Sequence, residues 1–193
     1  MNPASPVVAS FAMPFEISVD RYVLNCALHE LPAIYDAYKK NAVLTEEVNL
    51  TGEGSLCFLS VGDGSPTGWP FLVLALRYDP PHRSGFKPGV LVVPETGTLF
   101  VGAGTTLMAY DLNGPRRLWE DAADVGFWCW RRHGELVVMS AELEMAVWDI
   151  WGRKLWTTFV EPPWHYTVEG GDIHLDVMGT RSRFPIRSGP DPL

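Results

Sequence analysis

Asp172-Ile173-His174-Leu175-Asp176 is where residue types and spacing in this chain come nearest to chemistry. In an extended backbone, Asp172, His174 and Asp176 project from one face, while Ile173 and Leu175 turn toward a core. Two carboxylates and an imidazole are ligands for a divalent ion, the equipment of a small metal-dependent hydrolase. Same-face neighbours lie roughly 6–7 Å apart, which is long for one ion, and the same alternation describes a solvated strand face. Glu161-Pro162-Pro163-Trp164-His165 sets an acid and an imidazole on a rigid loop. Glu161 and His165 form an acid/base pair on one reading, and the stretch is a Pro-rich connection on the other. Gly102-Ala103-Gly104-Thr105-Thr106 and Gly62-Asp63-Gly64-Ser65 look like phosphate loops, but neither ends in Gly-Lys-Ser/Thr or opens a helix, so both read as hairpin turns. Neither G-x-S-x-G nor H-E-x-x-H occurs. Trp69, Trp151, Trp164 and Tyr166 lie near loops; exposed together they would form a protein-docking or sugar-stacking surface, and buried they would pack between sheets. No cofactor is implied.

The elements that must hold these residues come from a repeat. From Gly97 the chain runs G-T-L-F-V-G-A-G-T-T-L-M-A-Y-D-L-N-G-P-R-R-L-W, and a similar stretch follows from Gly134 to Trp156. Asp111 recurs as Asp149 and Gly114 as Gly152 at one spacing, and Trp119 recurs as Trp156 one position short of it. Each copy has an apolar run, a turn, a second run ending aromatic-Asp-aliphatic (Tyr110-Asp111-Leu112, Trp148-Asp149-Ile150), and a glycine turn into a basic pair and Leu-Trp. Asp near a strand end can bond nearby backbone N–H groups and fix the turn. A third, shorter copy starts at Gly171. Short strands at a period of about 40 residues are the spacing of a propeller blade.

These copies resemble the blades of β-propellers, in particular quinoprotein-type repeats, and Trp148-Asp149 is similar to the closing dipeptide of WD repeats. The resemblance covers Pro88 to Arg187 and implies radially packed four-stranded sheets. It does not imply the quinone cofactor, which belongs to a complete propeller. The expected fold is mainly β: an incomplete β-propeller-like array of about three antiparallel sheets with a small N-terminal α+β segment. One domain is expected over 1–193, with 1–87 capping the array, blades at 88–187 and a tail at 188–193.

Composition narrows the functional classes. The chain has 193 residues, 47% of them apolar, with eight Trp, which is a globular composition long enough for a sizeable core. A net charge of −8 repels phosphate and disfavours nucleic acid. Arg116-Arg117, Arg131-Arg132-His133 and Arg181/Arg183/Arg187 read as solvated strand ends or as a site for an acidic partner. Cys26, Cys57 and Cys129 lack metal or redox spacing and point to buried thiols in a reducing, cytoplasmic setting. No stretch approaches a membrane span, and the N-terminus, with no basic residue before Arg21, is a poor signal peptide.

Along the chain, a strand is expected over 16–24, with its alternation slipping phase near Asp20. Leu31, Ile34, Tyr35 and Tyr38 mark a helical face over 31–41, and an edge strand follows over 44–50. Strands are expected at 55–61 and 70–78, the second covered on both faces because Phe71–Leu76 is apolar throughout. Blades are expected at 89–121 and 126–160, with a partial one at 163–187. Three blades cannot close a ring, and an open array exposes an apolar face and strand edges. The N-terminal segment could cover that face, two chains could pair end to end as a homodimer, or a different protein could dock there. With no catalytic set, the reading is a non-catalytic protein-binding module, such as a specific inhibitor or antidote of a basic partner. The alternatives are a small metal-dependent hydrolase and a carbohydrate-binding protein.

Overall fold

Runs of alternating and wholly apolar residues, punctuated by glycine, become hairpins in the computed structural model, which describes residues 15–65, 68–78 and 86–191. The expected arm at 1–14, residues 66–67 of the Gly-rich loop, 79–85 of the second loop and 192–193 of the tail lie outside the described residues.

The first sheet contains β1 (Phe15–Val19), β2 (Tyr22–Leu28), β3 (Leu44–Val48), β4 (Ser55–Gly62) and β5 (Leu72–Tyr78), with helix α1 (Tyr35–Asn41) between β2 and β3. Its spatial order is β1-β2-β4-β5-β3. β3 runs parallel to β5, and the other pairs are antiparallel. The single strand expected over 16–24 is a hairpin: Asp20 adopts φ 53°, so the slip in alternation is the turn itself. The helix also starts later than its apolar spacing implied. The Tyr35 N–H bonds Pro32 O in a turn, and Ile34, expected on the buried face, is 51% exposed at the helix entrance.

The second sheet is β6 (Gly89–Val93), β7 (Thr98–Ala103), β8 (Thr106–Asp111) and β9 (Arg116–Ala122). The third is β10 (Phe127–His133), β11 (Leu136–Ala141), β12 (Glu144–Asp149) and β13 (Lys154–Phe159). Every strand of the third sheet begins at the same offset from its counterpart in the second: Phe127 follows Gly89 as Leu136 follows Thr98, Glu144 follows Thr106 and Lys154 follows Arg116. The copies share their irregularity too: a bulge lies at Ala109/Tyr110 in one and at Val147/Trp148 in the other. The fourth sheet has three strands, β14 (Trp164–Glu169), β15 (Asp172–Val177) and β16 (Thr180–Pro185). The array is thus propeller-like and incomplete.

Three cores join the four sheets face to face. Leu24, Leu59, Leu74 and Leu76 of the first sheet meet Leu99, Val101, Met108 and Tyr110 of the second. Phe100, Leu107 and Ala109, on the other face of the second sheet, meet Phe127, Trp130, Val137, Met139 and Trp148 of the third. Val138, Met145 and Val147, on the third sheet's far face, meet Trp164, Tyr166, Ile173, Leu175 and Phe184 of the fourth. β7, β8, β11 and β12 are therefore covered on both faces, as their unbroken apolar character requires. Each large side chain so buried contributes about 1.5–3 kcal/mol.

Both ends of the stack are closed. Ala27, Phe58, Val73 and Ala75 on the outer face of the first sheet pack under Tyr35, Leu31 and Tyr38 of the helical segment. The outer face of the fourth sheet carries His165, Thr167, Asp172, His174, Asp176, Arg181 and Arg183 in place of apolar residues. A polar outer face is how a terminal repeat ends an array without a partner.

A tryptophan of each complete blade locks onto the next. Trp119 Nε1 donates to Gly152 O, and Trp156 Nε1 donates to Ile186 O at 2.8 Å. Gly152 has φ 89°, and a Cβ there would meet Leu118 and Trp119 at 3.2–3.3 Å, so glycine serves both the turn and the close approach. Among the described residues the first sheet has no such tryptophan; Arg21 Nη2 donates to Asn113 Oδ1 at 2.7 Å at the corresponding turn.

Trp148 is 1% exposed, stacks on Trp119 with ring centres 5.4 Å apart and meets Trp130 edge-on. Trp148→Ala should lower stability by about 3–5 kcal/mol; a thermal melt that does not move would contradict this packing. Burial pushes the Cys57 thiol up to about 12, with Cys26 adding to it, and the Cys26 thiol up to about 11. A thiol reagent at mildly alkaline pH should therefore label only half-buried Cys129 in the folded chain and all three cysteines in denaturant; rapid labelling of Cys26 or Cys57 without denaturant would contradict the first core.

Candidate functional site

β15 presents Asp172, His174 and Asp176 on one face, with Ile173 and Leu175 in the third core, as alternation requires. Cross-strand pairing brings in residues the linear stretch does not contain. His165 of β14 lies opposite Asp176, and Thr167 opposite His174. Arg181 and Arg183 of β16 lie opposite Asp176 and His174. His165, Thr167, His174, Asp176, Arg181 and Arg183 line an open groove of about 350 Å³.

Both carboxylates of the β15 face already have partners. Asp176 Oδ1 accepts from the Gly179 N–H at 2.8 Å, and Oδ2 accepts from Arg181 Nε at 3.2 Å. Asp111 and Asp149 do the same at other hairpins. Asp111 accepts from the Asn113 N–H and Arg116, and Asp149 accepts from the N–H groups of Trp151 and Arg153 and from the Arg153 guanidinium. Asp176 thus caps its own turn. Asp172 Oδ2 is held by Arg183 through Nε at 2.8 Å and Nη2 at 2.6 Å. Among the described residues no three His, Cys, Asp or Glu side chains are placed to hold a metal ion. Glu161 does not line the groove, and no hydrogen bond or ion pair joins it to His165 among the described residues.

The four singled-out aromatics do not share a surface. Trp164 and Tyr166 are buried in the third core, with Trp164 stacked on Trp128 at 5.1 Å. Trp151 is 60% exposed on the β12–β13 turn, and Trp69 is 49% exposed beside Tyr38. Tyr166 Oη lies 3.4 Å from His133 Nε2, whose basicity is lowered by burial and by Arg131.

A second surface, at the seam between the second and third sheets, was not singled out from the sequence. Ala122, Asp124, Leu143, Glu144, Thr157 and Phe159 line a shallow cavity of about 270 Å³ there. Phe159 is a large apolar side chain left open in this lining, at 66%, and Val125, next to Asp124 in the chain, is also exposed. Val125 holds φ 68°, a strained conformation for a β-branched residue. Asp124 and Glu144 supply the carboxylates of this lining, and Lys154 bonds Asp121 at 2.9 Å and approaches Glu144 at 3.8 Å. Buried Glu144 is structural: it accepts from the Asp124 N–H at 3.1 Å and from the Thr157 hydroxyl at 2.6 Å. The only sequence signal was a valine between Asp124 and Gly126, where a turn would take a polar residue.

No protein-family model and no curated protein matches the chain. Among solved structures it is similar to BamB from Moraxella catarrhalis, at 13% identity and a TM-score of 0.44, over 84% of this chain and 39% of that one. It is also similar to Sqt1 of Saccharomyces cerevisiae, at 9% identity and a TM-score of 0.45, over 91% of this chain and 60% of that one. A third similarity is to Hsv2 of Kluyveromyces lactis, at 13% identity and a TM-score of 0.31, over 53% and 33%. The chain spans less than two thirds of each of these proteins.

The Gly179 N–H, and after it Arg181, hold the Asp176 carboxyl below the ordinary aspartate range. A depressed folded pKa stabilises above the unfolded value and loses that contribution as pH falls through the folded one. Asp176→Ala should therefore lower the melting temperature at neutral pH, and the difference from the parent should vanish in strong acid. A chelator should leave the parent's melting temperature unchanged; a drop on chelation would show that the groove holds a metal.

Proposed function

We propose that this chain is a non-catalytic protein-binding module that docks a basic partner on the seam between its second and third sheets. The observation that supports this is the exposure of Phe159 in a cavity that Asp124 also lines, with Val125 open next to Asp124 in the chain and Asp121 close by, bonded to Lys154. An open phenylalanine on a rigid strand end is the kind of anchor that fills a partner's pocket, and surrounding carboxylates steer a basic surface toward it. Val125 keeps its strained backbone at an exposed position, where packing of its own side chain gives little return. The two-sided cores hold the seam still, so docking requires little ordering of this chain.

The arrangement fits a specific inhibitor or antidote of a basic protein: a rigid acidic face with an apolar centre, on a chain of net charge −8. A photo-cross-linking residue placed at 159 should trap a basic polypeptide from source lysate. Phe159→Ala should weaken binding of the purified partner by about tenfold or more, and Asp124→Lys should slow its association in low salt. Equal trapping from a residue placed at 178, or unchanged affinity in Phe159→Ala, would overturn the assignment to this seam.

A further inference from the structure

On the outer face of the first sheet a cavity lies beside α1. Glu16 of β1 pairs with Asn25 of β2, and Asn25 pairs with Ser60 of β4, so the three stand in a row across adjacent strands on one face. With Tyr38 of the helix and Asp63 and Ser65 of the following loop, they line a space of about 280 Å³. Trp69 meets Tyr38 edge-on at 6.1 Å beside it.

Ser60 is the unusual member. It is 1% exposed, and its Oγ has no hydrogen-bond partner among the described residues. A buried hydroxyl left unsatisfied is destabilising, and a fold that retains one has a reason elsewhere. The groups around it lean toward accepting. Glu16 and Asp63 make no ion pair among the described residues, and the Asn25 side chain makes no hydrogen bond among them; Asp63 Oδ1 accepts only the Ser65 N–H, at 3.0 Å. The cavity is also far larger than a bare ion, since a water occupies about 30 Å³.

We infer that this cavity binds a primary ammonium group on a short organic chain, a site separate from the docking seam. Such a group carries one positive charge and three donors and accepts nothing. Glu16 and Asp63 supply the counter-charge, and Ser60 Oγ and Asn25 Oδ1 supply neutral acceptors. The rings of Tyr38 and Trp69 flank the alkyl chain, where an aromatic face also favours a cation.

The test uses n-butylammonium as the probe and n-butanol, tetramethylammonium and glucose as controls, read by calorimetry and by the Trp69 indole N–H resonance in NMR. Butylammonium should bind at millimolar concentration and shift that resonance, while butanol, without the charge, and tetramethylammonium, without the donors, bind far more weakly. Glu16→Gln combined with Asp63→Asn should weaken binding by about tenfold or more. Ser60→Ala should weaken it severalfold without lowering the melting temperature, because the hydroxyl it removes has no partner among the described residues. Phe159→Ala should leave binding unchanged, which separates this site from the seam. Binding of butanol or glucose as tight as that of butylammonium, no loss in the double variant, or a melting temperature that falls in Ser60→Ala would each overturn the inference.

Discussion

A β-sheet made of wholly apolar strands must be covered twice. That constraint organises this chain. β8 and β12 are buried on both sides, so the sheets that hold them each need two neighbours, and a stack so generated continues until something stops it. Here an amphipathic helix stops it on one side and a change of residue type stops it on the other. β15 keeps Ile173 and Leu175 for the third core and turns Asp172, His174 and Asp176 to water. The residues that looked most like a metal site are thus part of the device that ends the array, held by Arg183 and by the Asp176 turn.

Because the cores consume the broad faces of the sheets, open surface is left at the seams, the loop ends and the terminal faces. Trp119 and Trp156 fasten one blade to the next. Phe159 lies at the end of β13 away from the Gly152 turn that Trp119 holds. The outer face of the first sheet is another region where polar groups gather, and there Ser60 Oγ has no hydrogen-bond partner among the described residues.

The sequence carried the blade repeat well. Its recurrence located the strands of both complete blades, and the paired Asp and Gly residues marked the turns, because both are local requirements of a hairpin. The phase slip at Asp20 was visible, but its meaning depended on the next strand pairing back. Ile34 was misplaced because periodicity does not reveal that Pro32 delays the helix by a turn. The groupings that matter at a site were harder to read. His165 meets Asp176 only through strand pairing, and Glu16, Asn25 and Ser60 are brought into a row by the register of strands drawn from both sides of the helix. Trp164 and Tyr166 looked like loop aromatics, yet they face the third core because β14 starts at Trp164.

The central claim is that this open stack closes both of its own ends. Light scattering on a sizing column, over a wide range of concentration, tests it most directly. A stack with a helical cap and a polar end should elute at the mass of one chain throughout, whereas concentration-dependent growth to a dimer, abolished by charges introduced on an outer face, would show that an end had been left for a second copy to cover.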